Sequence, residues 1–275
     1  MVKVSVIAYF YTCALFIDTL VYGKPHGDVI STSLQILFDI PENKNNSIKI
    51  NYSYNEINRL RDYVFFNKNY AQAETIELFK NKISDISTFA FWGLEQLKVV
   101  DLSDNLITNL DDQTFTTNRN LHKLVLINNR ITFKSHHKFL ISESIETLVL
   151  SNNRINKIYD STFEALPKLR RLLLTDNALT EIENRSFQSL TNLRYLSLAN
   201  TGVIHLSDSM FNTLPHIINL DDTPIAQNFD PPLRQVRGHA IKHLLQLESG
   251  SREYILHGHH NNINKTDPTT TEINL

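Results

Sequence analysis

Histidine is the residue type in this sequence whose spacing most readily suggests metal chemistry. The candidate ligands lie near the C-terminal end: His239, His243, His257, His259 and His260. His239 and His243 are four residues apart, and on a helix that spacing lets two imidazoles share a metal ion. However, no glutamate follows His239 as in the metalloprotease motif, and the single cysteine, Cys13, cannot form a cysteine-based zinc site. We therefore predict solvated histidines, no metal and no cofactor.

Motifs for catalysis and for phosphate binding are absent from the sequence. Serine, histidine and aspartate are plentiful, but no motif places a nucleophile beside a base. The 7 glycines include no pair at phosphate-loop spacing, which excludes dinucleotide and P-loop motifs. With 27 Lys and Arg against 29 Asp and Glu, the formal charge is −2, which argues against nucleic-acid binding. The sequence predicts a protein that is not an enzyme.

The N-terminal residues resemble a secretory signal peptide. Lys3 precedes a largely apolar run over 6–17, which Asp18 ends, and a cleavage site follows Gly23. The run is shorter than the roughly 20 residues that span a bilayer, although a buried N-terminal element and an uncleaved membrane anchor stay open as alternatives. Four Asn-x-Ser/Thr acceptors follow: Asn45, Asn51, Asn184 and Asn264. We expect a secreted, extracellular glycoprotein with no transmembrane segment.

The elements that would position any functional side chain follow an internal period of 24 residues. One column consists of Phe91, Phe115, Phe139, Phe163, Phe187 and Phe211. A second consists of Asn81, Asn105, Asn129, Asn153 and Asn177, and Thr201 ends it. Two aliphatic columns are Val100, Leu124, Leu148, Leu172, Leu196 and Leu220, and Leu102, Leu126, Leu150, Leu174 and Leu198. Several independent columns with one period predict stacked structural repeats.

Aligned on this period, the blocks are 73–96, 97–120, 121–144, 145–168, 169–192 and 193–216. These blocks resemble leucine-rich repeats, L-x-x-L-x-L-x-x-N, of the 24-residue type common in animal extracellular proteins. Weaker blocks at 47–72 and 217–224 extend the resemblance to 47–224, and in the second of these Asp222 stands where a core leucine belongs. The resemblance implies an α/β fold: a curved horseshoe-shaped solenoid with a parallel β-sheet on its concave face.

Each column has a physical role in such a solenoid. Alternation places the two aliphatic columns on the inner side of a short strand, and stacking makes them a continuous core. The asparagine column sits where the chain leaves the strand, and its amide can satisfy turn N–H and C=O groups. The phenylalanine column fills the back of the coil. We interpret these columns as structural.

The outward strand positions, which are the third, fifth and seventh of each block, are candidates for partner binding. The predicted partner-binding residues are Val99, Asp101, Lys123, Val125, Ile127, Val149, Arg171, Leu173 and Tyr195. They form an apolar centre with a charged rim, which is typical of protein interfaces. The alternative is that β-branched residues simply favour strands. Asn219 and Asp221 fall at the third and fifth positions of the last block.

The ends of the solenoid need caps, because a terminal repeat otherwise exposes its core. We divide the chain into a signal peptide (1–23), an N-terminal capping segment (24–46), leucine-rich repeats (47–224, core 73–216), a C-terminal capping helix (225–250) and a flexible polar tail (251–275). Pro231 and Pro232 precede apolar residues at helical spacing over Leu233–Leu247, which predicts an amphipathic helix there. This helix either covers the last repeat or docks onto a partner.

The resemblance implies a binding protein with roles in innate immune recognition, adhesion or receptor regulation. The short soluble members of an invertebrate leucine-rich immune family are one concrete form of it. The predicted partner is a protein ligand or receptor held by the concave face. The alternative is an extracellular-matrix or membrane-associated scaffold that assembles into homo- or hetero-oligomers through the C-terminal helix.

Overall fold

The structure is a computed structural model and describes residues 48–66 and 70–249. Thirteen strands lie in these ranges, and each is two or three residues long. They are β1 (Lys49–Asn51), β2 (Arg59–Leu60), β3 (Thr75–Glu77), β4 (Asp85–Ile86), β5 (Val99–Asp101), β6 (Lys123–Val125), β7 (Thr147–Val149), β8 (Lys157–Ile158), β9 (Arg171–Leu173), β10 (Glu181–Ile182), β11 (Tyr195–Ser197), β12 (Ile217–Asn219) and β13 (Gln235–Arg237). Two helices follow β12: α1 (Pro224–Gln227) and α2 (His239–Ser249).

Nine strands form one sheet in the order β1-β3-β5-β6-β7-β9-β11-β12-β13. Every pair from β1 to β12 is parallel, and one turn of chain separates each strand from the next. From Val99 to Lys123 to Thr147, equivalent residues of successive turns are directly paired. The predicted solenoid with a parallel sheet is therefore confirmed.

The aliphatic columns explain why these short strands form at all. In β3, β5, β6, β7, β9 and β11 the central residue is fully buried, and the leucines that follow the strands, such as Leu126 and Leu150, are fully buried as well. A single turn has too few apolar residues to bury its own aliphatic side chains, so these side chains become buried only when neighbouring turns stack. The opposite side of the sheet is solvent-facing, and we call it the sheet face.

The back of the coil contains turns rather than long helices. Two short parallel ladders lie there, β2 with β4 and β8 with β10, together with 3₁₀ turns at Tyr70–Gln72 and Asp208–Met210. At the first of these turns the buried hydroxyls of Tyr52 and Tyr70 are 2.6 Å apart. Burial, and secondarily this hydrogen bond, raises the pKa of the Tyr52 phenol well above its ordinary value.

The phenylalanine column forms two stacks rather than one continuous row. Phe91 packs on Phe115 at a centroid distance of 4.8 Å, and Phe187 packs on Phe211 at 5.2 Å. Between the two stacks, the ring of Phe139 contacts the ring of Phe133, which is not a member of the column. The ring of Phe133 in turn lies edge-on against the ring of Phe163. The phenylalanine column, which we predicted to fill the back of the coil, is therefore interrupted at Phe139.

The sequence of the turn 121–144 accounts for this break. In the other turns, the fourteenth position is occupied by an aliphatic residue. These residues are Ile86, Leu110, Ile158, Ile182 and Leu206. Lys134 occupies that position here and is exposed, because burial of an unpaired ammonium is costly. The preceding residue, Phe133, is buried in its place.

The last turn is two residues shorter than the period predicts. Tyr195 pairs with Ile217 and Leu196 with Ile218, so β12 follows β11 at a step of 22 residues. Ile218 and Leu220 therefore point into the core, where the 24-residue step predicted Leu220 opposite Leu196. The predicted alignment of this block is corrected by two positions, and Asp221 lies at the seventh position rather than the fifth.

The C-terminal end also differs from the predicted helix over Leu233–Leu247. Residues 235–237 form β13, which runs antiparallel to β12 with Val236 opposite Ile218. Gly238 has φ +52°, a value that glycine adopts readily, and helix α2 begins immediately after it. A strand forms here because the backbone of β12 offers an open edge that a helix at this position would leave unpaired.

Helix α2 packs its apolar side against the end of the solenoid. Ile241, Leu244 and Leu245 are at most 3% exposed, whereas His239 and His243 are exposed, as predicted. Among the described residues no group of three His, Cys, Asp or Glu side chains could hold a metal ion. Within the same residues no helix has the length and apolarity needed to cross a membrane.

Three of the predicted segments lie outside the described residues. These are the signal peptide over 1–23, the capping segment over 24–46 and the tail over 251–275. The acceptors Asn45 and Asn264 lie in them.

Candidate binding face

The asparagine column joins each turn to the one before it. Asn105 Oδ1 accepts a hydrogen bond from the N–H of Ile83 at 2.9 Å, and its Nδ2 donates to the carbonyls of Leu78 and Leu102, each at 3.0 Å. Asn81, Asn129, Asn153 and Asn177 repeat this pattern and are buried. The column therefore fixes the start of the loops that frame the sheet face.

The chain departs from this pattern at Thr201. Its Oγ1 donates to the carbonyl of Leu198 at 2.6 Å, and Thr223 does the same one turn later to Leu220. A hydroxyl has one proton, whereas an amide NH₂ has two, so threonine reproduces the bond within its own turn.

The predicted apolar centre of the sheet face is only partly open to solvent. Val125 and Val149 are each 8% exposed, because they lie side by side with neighbours on both flanking strands. The prediction that these two residues are exposed is therefore corrected. Leu173 and Ile127 are half-buried and provide the accessible part of the apolar centre.

Charged and aromatic residues follow the side of the sheet face where the parallel strands begin. Lys123 and Arg171 are exposed, and the guanidinium of Arg171 lies 5.2 Å from the ring centroid of the half-buried Tyr195. The register continues this row through Ile217 to Arg237. We call the residues Lys123, Arg171, Arg194, Tyr195 and Arg237 the basic edge.

In the N-terminal part of this row, the lysines form ion pairs with neighbouring glutamates. Lys49 pairs with Glu77 at 2.7 Å, and Lys98 pairs with Glu74 at 2.6 Å. Val99 and Asp101, which were also predicted to bind a partner, lie on β5 beside these pairs and are half-buried. Surplus positive charge is therefore concentrated nearer the C-terminal strands.

A polar ladder follows the opposite side, where the parallel strands end. Its members are Asp104, Asn128, Asn152, Asp176, Asn200 and Asp222, and all have φ between +49° and +58°. Asp and Asn tolerate this left-handed backbone better than most residues. Asn128 Nδ2 donates to Asp104 Oδ1, and Asn200 Nδ2 donates to Asp176 Oδ1, both at 2.6 Å. Together with Asp221 we call these residues the acidic edge.

Asp221 has an unusual environment within the acidic edge. Its backbone N–H donates to Asn219 Oδ1 at 3.0 Å, but its own Oδ1 is buried and has no hydrogen-bond partner among the described residues. Buried carboxylate oxygens are normally paired, so the carboxylate of Asp221, which is half-buried as a residue, has hydrogen-bonding capacity that the described residues leave unused.

The two predicted glycosylation sites within the described residues are both exposed. Asn51 is on the sheet face in β1, where the strand register places it beside Glu77 of β3. Asn184 lies in a turn on the back of the solenoid. A glycan at Asn184 would leave the sheet face uncovered.

A sequence model described as leucine rich repeat matches residues 95–141 and 143–203. The turns over these residues are leucine-rich repeats. No curated protein sequence matches the chain significantly.

Solved structures with leucine-rich repeats resemble the solenoid. The crystal structure of a TLR13–ssRNA13 complex matches at a TM-score of 0.50 and 25% identity, over 65% of this chain and 29% of that chain. The APL1 leucine-rich repeat domain matches at 0.47 and 21%, over 62% and 43% of the two chains. A Drosophila Toll–Spatzle complex matches at 0.49 and 21%, over 64% and 27%. The chain thus spans less than half the length of each of these proteins.

Sequence reasoning missed several residues of the leucine-rich repeat sheet face. The acidic edge was readable as a column of Asp or Asn at residues 104, 128, 152, 176 and 200, directly before the structural asparagine position. Arg194 was missed because it precedes its strand by one residue, and Asp221 was predicted at the fifth position rather than the seventh because the last turn is short.

Proposed function

We propose that the chain is a secreted, non-enzymatic leucine-rich-repeat protein that binds a protein partner through its sheet face. The observation that carries this proposal is the arrangement of that face, in which Leu173 and Ile127 provide an apolar centre between a basic and an acidic edge. Interfaces commonly combine an apolar core with a polar rim, and aromatic and arginine residues are enriched in them.

We further propose a role in innate immune recognition or receptor regulation. The resemblance to the leucine-rich repeats of TLR13 and its 25% identity support a recognition role. The predicted N-terminal leader and the exposed acceptors Asn51 and Asn184 support secretion with glycosylation.

The packing of α2 bears on the alternative, a scaffold assembled through the C-terminal helix. Ile241, Leu244 and Leu245 are already covered within the chain. The apolar side of α2 is therefore used to cap the last turn, which favours binding through the sheet face.

A pair of matched substitutions tests the proposal. Leu173→Asp places a charge in the apolar centre at a half-buried position, whereas Ile204→Asp makes the same change at a site that is 66% exposed and outside the sheet. Val149 is unsuitable because it is 8% exposed, so Asp there would also disturb folding.

The measurement is cross-linking capture of proteins from native extracellular fluid, followed by mass spectrometry. We expect partners that are captured by the wild type and by Ile204→Asp but not by Leu173→Asp, with circular dichroism showing that all three proteins are folded. Equal capture by all three would place the binding surface elsewhere.

A further inference from the structure

The two edges of the sheet face carry opposite charge, and this specifies the chemistry of a partner. At the basic edge, the described residues Arg171 and Arg194 are exposed, and neither makes an ion pair within the described part of the chain. At the acidic edge, Asp176 and Asp222 are exposed and Asp221 holds an unpaired buried oxygen. Arginine binds carboxylates in a forked geometry, and a carboxylate oxygen accepts from ammonium or guanidinium groups.

The distance between the edges follows from the strand geometry. Basic-edge residues such as Arg171 and Tyr195 lie at the third position of their turns, and Asp221 lies at the seventh position of its turn. Four residues of strand span about 13 Å, and two steps between strands add about 10 Å sideways. Opposite charges of a partner would therefore be separated by about 13–16 Å, with Leu173 between them.

We propose that the partner presents a protein segment with a carboxylate at one end, an ammonium or guanidinium at the other and an apolar side chain between them. The carboxylate is bound by Arg171 and Arg194, and the cationic group is bound by Asp221 and Asp176. This inference rests on the proposed function, because it describes what the sheet face binds.

The same separation corresponds to different sequence spacings in the two simple backbone conformations. An extended segment covers about 3.3 Å per residue, so the charges would be four or five residues apart. A helical segment rises about 1.5 Å per residue, so they would be about nine to eleven residues apart. Both spacings fit within a segment of twelve residues.

The experiment is a selection of random 12-residue peptides displayed on phage against the immobilised full chain. Four folded variants are then tested with the selected peptides: Arg171→Glu for the basic edge, Asp221→Asn for the acidic edge, Leu173→Asp for the apolar centre and Ile204→Asp as its control. Arg119→Glu and Glu143→Gln repeat the charge changes at exposed positions away from the sheet face.

We expect selected peptides to carry an acidic and a basic residue at one of the two spacings. Their affinity should fall at least about tenfold with Arg171→Glu and with Asp221→Asn, and remain unchanged with Arg119→Glu and Glu143→Gln. For Arg171→Glu, a peptide in which the acidic residue is replaced by lysine should recover binding.

Two other results would overturn the inference in different ways. In the first, the peptides bind the wild type, Arg171→Glu and Asp221→Asn equally well but do not bind Leu173→Asp. This result would refute the proposed charge pattern and would still support the proposed function. Peptides that bind Leu173→Asp as well as the wild type, or a selection that yields no binder, would count against both.

Discussion

Removal of one amide from the asparagine column should destabilise the protein by an amount that depends on the next turn. Asn105→Ala leaves the N–H of Ile83 without the bond that Asn105 accepts at 2.9 Å. The carbonyl of Leu102 keeps a donor, because Asn129 Nδ2 also donates to it at 2.9 Å. The loss is therefore about one orphaned buried N–H, which costs about 1–2 kcal/mol.

Asn177→Ala should cost more, because its neighbour is different. Asn177 donates to the carbonyl of Leu174 at 2.9 Å and accepts from the N–H of Ile155 at 3.1 Å. In the next turn Thr201 donates within its own turn, so among the described residues Leu174 has no second side-chain donor. Two orphaned groups should cost about 2–4 kcal/mol.

The assay is equilibrium unfolding in urea, followed by circular dichroism and by the fluorescence of the single tryptophan, Trp92. The two probes must give coincident transitions, because repeat proteins can lose two-state behaviour. The matched control is Asn156→Ala at an exposed asparagine, which should change the free energy of unfolding by less than about 0.5 kcal/mol. Equal costs for Asn105→Ala and Asn177→Ala would refute the explanation based on shared carbonyls.

Three further predictions follow from the packing. Phe187→Ala, at a ring in contact on both sides, should cost about 3–5 kcal/mol in urea unfolding, and Phe139→Ala should cost less, because Phe139 is 7% exposed and lies outside the stacks. Gly202→Ala should lower the midpoint of thermal unfolding, since its Cβ would lie 2.8 Å from a Thr180 methyl carbon; an unchanged midpoint would show that this contact relaxes. Because the pKa of the Tyr52 phenol is raised in the folded protein, above pH about 10 the phenol ionises in the unfolded chain before it ionises in the folded one. The free energy of unfolding should therefore fall as the pH rises above about 10, and Tyr52→Phe should reduce this fall in urea unfolding experiments.

The parts of the fold that could be predicted are those that the period repeats. The inward leucines, the asparagine column and the strand register all follow from one spacing, because each turn solves the same packing problem as its neighbour. The period carries no information where a turn changes length, and so the pairing of Leu196 with Ile218 was missed. Likewise, β13 lies beyond the last repeat and forms in response to an open strand edge that is visible only in three dimensions.

The binding face was harder to predict than the core. Alternation correctly placed Val125 and Val149 on the sheet face, but their burial depends on lateral neighbours that no single block contains. The burial of Phe133 in place of Lys134 could have been predicted, because Lys134 is a charged residue in an otherwise apolar column. The unpaired oxygen of Asp221 had none, since it depends on the local geometry of β12.

The antiparallel strand β13 also restricts how this solenoid could have grown by gene duplication. A new parallel unit cannot be added beside β12, because β13 already occupies that hydrogen-bonding edge. In the present fold, a further parallel unit can therefore be accommodated only upstream of β12. An inserted unit of 24 residues would keep every asparagine in line with its neighbours, and the 22-residue step to β12 shows that the loops behind the strands absorb a change in length.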